Sequence, residues 1–520
     1  MNLSSPFLFL LVSLPALLML TGFAFALLSH RSVSTRWAFV RLLSVLAAGI
    51  TLANLGLLLF SGQDLFAAAS QVSPLIGLTL TAAWIASLVQ LLGTVILVFS
   101  ERYLQGEPRQ KAYIAGVAAV LGNVQLLLVA DNWWLLIAAW SLTGMALDGL
   151  LRFYPERPFA ILAAHKKKLS DRLADILLVL AAGLAHVEVG SSSISAFLQF
   201  VHANGSDVFI HFIAVLVVLA AAIRLALLPL HGWLIQVMEA PTPVSALLHA
   251  GVVNLGGYVL IKFAPLLESS DVARWTLVTL GLFSAFVAGF VMLTRVSIKV
   301  RLAWSTLAQM GFMAVECGLG LYALAMLHLI GHSLYKAHAF LVAGNTVNIS
   351  RAKELRQPAS ATATWSLVCA PVFASLVVLS GVHMLTSASG VSWPWWWSAV
   401  LALAWAPLFW VKSSITDGPR LALLLVRAAL IAMVLTVIAW AAHHVPLGVH
   451  STDAAPGVGL ALGVMLLIYL GLAVLQSGSL HPAVEQARRL GYAGLYLDDW
   501  YTRMVMVAFP PALGPKTPSP

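Results

Sequence analysis

About fifteen apolar runs, each long enough to cross a bilayer, follow one another from roughly 7–28 to 457–476, and nothing constrains the fold of this chain more. Hydrocarbon offers a backbone amide no water to bond, so each run must satisfy its own polar groups, which a helix does. The pattern predicts an all-α polytopic membrane protein with about 15 transmembrane helices. The first run is long and has no basic residues before it, so it is read as a retained span rather than a cleaved signal. Only 9% of residues are charged, against about 25% in a soluble domain. The formal charge of +9 does not point to nucleic acid, because the basic residues sit between apolar runs rather than on a soluble face. The two cysteines, Cys317 and Cys369, lie within apolar runs without a C-x-x-C spacing. That leaves no disulfide framework or iron–sulfur ligation on this chain, and any electron transfer belongs to another.

The loops alternate in charge. Arg31 and Arg36, then Arg102, Arg109 and Lys111, then Arg152 to Arg172, then Arg295, Lys299 and Arg301, then Arg351, Lys353 and Arg356, then Lys412 and Arg420 fall on one side, while the intervening loops carry almost no Lys or Arg. By the positive-inside rule the basic loops are cytoplasmic. With an odd number of spans, the N-terminus is then outside and the C-terminus cytoplasmic.

Chemistry concentrates between Arg224 and His249. An apolar segment there carries an arginine, Pro229 soon after it, a second break at Pro241 and Pro243, and a histidine on a fresh apolar helix. A charge at mid-membrane costs a few kcal/mol even on lenient insertion scales, and a proline frees a carbonyl. Such features are tolerated where a broken helix lines a wet internal path, which points to proton conduction. Glu239 sits at the break, where it can cap exposed backbone groups. Further on, His328, His332 and Lys336 are spaced by four and form one polar stripe on an apolar helix. The two histidines read as members of a water-threaded path, as metal or haem ligands, or as inert interhelical donors. Glu316 is a buried-acid candidate without an assigned role. No nucleophile–base set or metal-ligand cluster stands outside this stripe, so no catalytic residue, bound metal or cofactor is expected on the chain.

The letters R-L-A-L-L-P-L-H-G-W-L followed by A-P-T-P-V-S-A-L-L-H-A resemble the antiporter-like subunits of respiratory complex I and their Mrp-type relatives. So does I-K-V-R-L-A-W-S-T-L-A-Q-M-G, which begins around Lys299. The resemblance covers about residues 70 to 350. It implies an internal repeat of spans with broken helices, and with the polar stripe it gives an expected proton path of Asp148, Arg224, His249, Lys299, His328, His332 and Lys336. Where the family has a buried glutamate after a tryptophan, this chain reads Trp140-Ser141. Asp148 lies seven residues on and close to the same helix face, which makes it the expected substitute, or else a hydrated carboxylate near the helix end. Arg172 and Asp175 match the family and are spaced for an intrahelical pair. The lysine run before them reads as an ordinary cytoplasmic anchor. Arg224 stands where the family has its central lysine. A guanidinium keeps its proton, so Arg224 is expected to tune a neighbour rather than relay. The twelfth helix of the family carries a lysine or glutamate, but 366–385 offers only His383.

These departures, with the segment L-L-R-F-Y-P-E-R-P-F-A-I-L-A-A-H-K-K-K-L-S-D-R-L-A-D and the short tail, look like the membrane subunit (DabB type) of the two-component inorganic-carbon accumulation complex. That resemblance implies a bacterial inner-membrane, multi-pass protein that couples the proton gradient to a large soluble β-carbonic-anhydrase-like partner (DabA type), with zinc on the partner. Two other functions compete: a pumping subunit of a complex I-like or Mrp-type antiporter, and a passive membrane anchor. The organisation expected is N-terminal spans over 1–110, half-channels over 111–265 and 266–412, further spans over 413–476, and a cytoplasmic amphipathic tail over 477–520.

Overall fold

Strong local stop signals divide the apolar runs into helices. In the computed structural model, which describes residues 5–61, 73–205, 207–354, 362–389, 395–449, 458–477 and 481–510, all named elements are helical, with three isolated bridges besides. The first five are α1 (Ser5–Leu28), α2 (Val33–Ser61), α3 (Leu80–Tyr103), α4 (Gln110–Val129) and α5 (Trp133–Leu151). Thr79 caps α3 and Asn132 caps α5, each accepting from backbone N–H groups in the first turn that have no intrahelical partner. Next come α6 (Pro158–Val189), α7 (Ile194–Asn204) and α8 (Val208–Arg224). Gly190 closes α6 in the left-handed region with φ 70°, where a side chain would be strained.

After Arg224 the helix stops. Ala226 takes a positive φ of 56°, and short α9 (Gly232–Gln236) begins only after His231. The backbone here finds other partners, as burial demands: Leu227 N–H donates to Ala222 O, and Leu228 N–H donates to Ser284 Oγ at 3.0 Å. A 3₁₀ turn over Val237–Glu239 follows, then α10 (Thr242–Leu247), a π-helical turn over Leu248–Val252, α11 (Leu255–Lys262) and α12 (Ala264–Glu268). The break expected at Pro229, Pro241 and Pro243 is therefore physical, and Pro243 lies in the first turn of α10, where its missing N–H costs nothing.

The second half is less interrupted than expected. Its helices are α13 (Asp271–Thr294), α14 (Ile298–Gly318), α15 (Tyr322–Glu354), α16 (Thr364–Ser389) and α17 (Trp395–Trp405), the last running into a 3₁₀ turn over Ala406–Phe409. Of the basic loop residues, Arg356 lies outside the described residues, as does 511–520 of the tail. The anticipated second broken span is absent from α14, α15 and α16, although Pro371 lies inside α16. The reason is a contact from another helix: Pro371 cannot donate to Leu367 O, and the Tyr469 hydroxyl donates to that carbonyl instead, at 2.6 Å. The chain ends with α18 (Gly418–His443), α19 (Val458–Gln476), α20 (Pro482–Tyr492), a 3₁₀ turn over Gly494–Tyr496 and α21 (Leu497–Ala508).

Among the described residues, nine helical segments are long and apolar enough to cross a membrane and three shorter helices are apolar. Of the most apolar stretch of Thr242–Lys262, 89% is buried by other helices, against 17% for Gly418–His443. Elements from the break thus form the centre, and α18 turns Leu423, Val426, Leu430 and Val434 outward, as suits a lipid-facing helix. Tyr469→Phe should leave Leu367 O without its partner and cost about 1–2 kcal/mol. Thermal unfolding in detergent checks this, and an unchanged midpoint would remove Tyr469 as the reason α16 stays whole.

Candidate functional site

Two clusters of buried charged and polar side chains flank the broken helix. The first is built on one face of α6, where Lys167, Asp171 and Asp175 recur every four residues and so stack along the helix. Lys167 pairs with Asp171 across one turn. Arg224, at the end of α8, spans both carboxylates: Nη1 lies 3.1 Å from Asp171 Oδ1, and Nη2 donates to Asp175 Oδ1. Arg172 Nη1 lies 3.1 Å from Asp175 Oδ2, so the pair that the spacing suggests extends the same chain outward. The Arg224 guanidinium also lies 5.0 Å from the centre of the Trp140 ring. Gly144, one turn after Trp140, is where α5 lets this cluster close, because a Cβ there would run into Asp171 Oδ2.

Asp148 stands elsewhere. Its ion pair is with Arg152 on its own helix, and it lines a cavity of about 370 Å³ together with Gly144, Met145, Lys168, Asp171 and Arg172. The carboxylates that neutralise Arg224 are Asp171 and Asp175, which come from α6 rather than from the helix carrying Ser141. The lysine run differs from the expected anchor. Lys166 and Lys167 are buried, and only Lys168 faces outward. Three consecutive residues on a helix are about 100° apart, so a run of three cannot share one fate.

The second cluster lies around α14 and α15. His249, in the π turn, shares a hydrogen bond between Nδ1 and Thr306 Oγ1 at 3.0 Å and stacks on Phe340 with ring centroids 4.6 Å apart. Lys336 Nζ is fully buried and donates to Leu302 O at 3.1 Å and Ser305 Oγ at 2.8 Å. One turn back, both ring nitrogens of buried His332 lack a hydrogen-bond partner among the described residues. His328 lies 6.2 Å from His332 between ring centroids, and its Nδ1 is 2.9 Å from Glu316 Oε2. Glu316 thus gains a place at the end of the stripe. Lys299 Nζ donates to Thr242 Oγ1 at 2.8 Å, and Thr242 Oγ1 also lies 3.1 Å from the Tyr103 hydroxyl.

Sequence reasoning missed Lys166, Lys167 and Asp171 as buried groups, although the i, i+4, i+8 recurrence of Lys167, Asp171 and Asp175 was a readable signal. It also missed Asp498, in α21, which no spacing connects to α6. Its Oδ1 accepts from Lys166 Nζ at 2.8 Å.

A polytopic helical bundle with ionisable groups buried around a broken helix defines an antiporter-like membrane subunit. Residues 130–406 match the family described as NADH:quinone oxidoreductase/Mrp antiporter, transmembrane region. The chain is 37% identical over 486 residues to a probable inorganic carbon transporter subunit DabB of Hydrogenovibrio crunogenus, covering 90% of each protein. It is 38% identical over 472 residues to a probable inorganic carbon transporter subunit DabB2 of Halothiobacillus neapolitanus, covering 87% of this chain and 83% of that one. In fold it is similar to a chain of the Mrp complex from Dietzia sp. DQ12-45-1b, with a TM-score of 0.64 at 20% identity over 95% of this chain and 59% of that chain. The chain belongs to the NADH:quinone oxidoreductase/Mrp antiporter family and, within it, to the DabB subunits.

Removing one partner of a buried ion pair strands the other, at a cost of about 3–5 kcal/mol. Asp171→Asn, which leaves Arg224 and Lys167 with Asp175 alone, should therefore lower the thermal midpoint of the purified protein well below that of Asp148→Asn. The Asp148 partner, Arg152, is 48% exposed, so losing that pair should cost no more than about 1 kcal/mol. Equal midpoints for the two variants would show that Asp171 is not the counter-charge on which Arg224 depends.

Proposed function

We propose that this chain is the proton-conducting membrane subunit that couples the proton gradient to a cytoplasmic carbonic-anhydrase-like partner, for accumulation of inorganic carbon. The observation that carries the reading is the unbroken series Lys167, Asp171, Arg224, Asp175 and Arg172 beside a helix break. Ionisable groups buried inside a polytopic membrane protein are costly to keep and commonly mark ion paths, which supports conduction here. Arg224 keeps its proton, so it acts by pairing with Asp171 and Asp175 and by placing a fixed positive barrier against other cations. Protons pass by way of groups that can release them: Asp148 facing the cavity it shares with Asp171, then His249, Lys299, Lys336, His332 and His328. The half-channels correspond to 111–265 and 266–412.

The partner is a large soluble zinc protein of DabA type, with the zinc on that partner and no cofactor on this chain. The names carried by the similar DabB subunits support the inorganic-carbon part of this reading. The long charged helices α6, α14 and α15, added to the nine spans and three shorter apolar helices, bring the total to about fifteen spans. An odd number of spans with cytoplasmic basic loops supports an N-terminus outside and a cytoplasmic C-terminus, in a bacterial inner membrane.

Cells expressing each variant at matched membrane levels test the reading through bicarbonate accumulation, with and without an uncoupler. Lys336→Met should abolish uncoupler-sensitive accumulation. Arg224→Lys should retain part of it and Arg224→Met should lose it, a difference of about 5- to 150-fold. Accumulation by both methionine variants equal to that of the wild type would leave a passive anchor as the better description. Sodium-linked efflux without bicarbonate accumulation would point to an antiporter.

A further inference from the structure

The C-terminal helices fold back onto the end of the first cluster. Gly494 turns the chain with φ 66°, beside Arg295, whose guanidinium lies 5.5 Å from the Trp304 ring and 5.6 Å from the Tyr492 ring. From there α21 runs across α6 and α9. Asp498 accepts from Lys166 Nζ at 2.8 Å and from Gln236 Nε2 at 2.9 Å. Tyr501 and Ser170 share a hydrogen bond at 3.1 Å, Lys166 Nζ lies 5.5 Å from the Tyr501 ring, and His165 Nε2 is 2.7 Å from Phe509 O. The seat of the carboxylate is made by a missing side chain. A Cβ at Gly232 would overlap Asp498 Oδ1 and sit 3.2 Å from Lys166 Nζ.

Lys166 has a fully buried side chain and an ion pair with Asp498, while the neighbouring Lys167 takes Asp171. A buried ammonium that loses its counter-ion is unfavourable, so undocking α21 strands a charge one residue from the cluster around Arg224.

We infer that Asp498 is a positioning residue for conduction: α21 is a clasp that carries the counter-ion of Lys166 into the wall of the broken helix, so that the ion pair itself, beyond the docking it brings, holds the Lys167 end of the charge series in its working state. This function rests on the transport reading above, whereas the docking itself does not. Two measurements separate them. The first uses the full-length protein purified in detergent, carrying Cys317→Ser and Cys369→Ser, with Ser170→Cys as the reporter beneath Tyr501. A membrane-impermeant maleimide should label that cysteine about tenfold faster when Gly232→Ala or Asp498→Asn is added, as local opening exposes it. The second is uncoupler-sensitive bicarbonate accumulation. It should fall at least about fivefold in Asp498→Asn and largely survive in Asp498→Glu.

The double variant Lys166→Met with Asp498→Leu replaces the buried pair by apolar groups, an exchange that is often neutral for stability. It should regain slow labelling and the parental thermal midpoint yet remain at least about fivefold deficient in accumulation, which a purely structural clasp would not do. Labelling at the parental rate in both Gly232→Ala and Asp498→Asn would overturn the docked clasp. A double variant that accumulates bicarbonate like the wild type would overturn the positioning role.

Discussion

A permanent cation buried beside a broken helix sets the terms for the rest of this structure. Arg224 cannot shed its proton, and the Born cost of an unpaired charge in so poor a dielectric runs to several kcal/mol even after relaxation. Two carboxylates from α6, a ring face from Trp140 and the absence of a side chain at Gly144 are what make its position tolerable. Each of these constrains an element. The register of α6 against α8 follows from the pairing with Asp171 and Asp175, and the approach of α5 follows from Gly144.

The break after Arg224 is the second constraint, and it is satisfied by side chains far away in sequence. Leu228 N–H finds Ser284 Oγ on α13, and Thr242 is held by Lys299 and Tyr103 from α14 and α3. The π turn places His249 against Thr306 and Phe340, so the interrupted backbone joins the first cluster to the second. In the second half the same problem has a different solution. Tyr469 caps the carbonyl that Pro371 leaves free, α16 remains continuous, and a 3₁₀ turn follows α17. The polar line of that half therefore runs along one side of α15, from Lys336 through His332 and His328 to Glu316 of α14, rather than through a gap in a helix.

Two positively charged neighbours, Lys166 and Lys167, illustrate how finely the charge is partitioned. They project from α6 about 100° apart, one toward Asp171 and one toward the tail. The same end of α6 consequently joins two different ionic systems, one internal to the bundle and one supplied by the last helix of the chain.

Composition and period were enough to determine, from sequence, that the chain is an all-α membrane protein, because a long apolar run in lipid has few backbone solutions. The break at Pro229, Pro241 and Pro243, and the spacings of Arg172 with Asp175 and of His328 with His332 and Lys336, are local properties of one helix and were legible for that reason. Tertiary structure alone decided which carboxylates serve Arg224. Asp148 has a plausible place on α5, but a pair forms where two helices meet, and α8 meets α6 at Asp171 and Asp175. It alone decided, too, that Lys166 and Lys167 are buried, that Glu316 closes the histidine stripe, and that Asp498 returns to Lys166 across more than three hundred residues. Charge pairing across helices depends on distance in space, which periodicity along one helix does not encode.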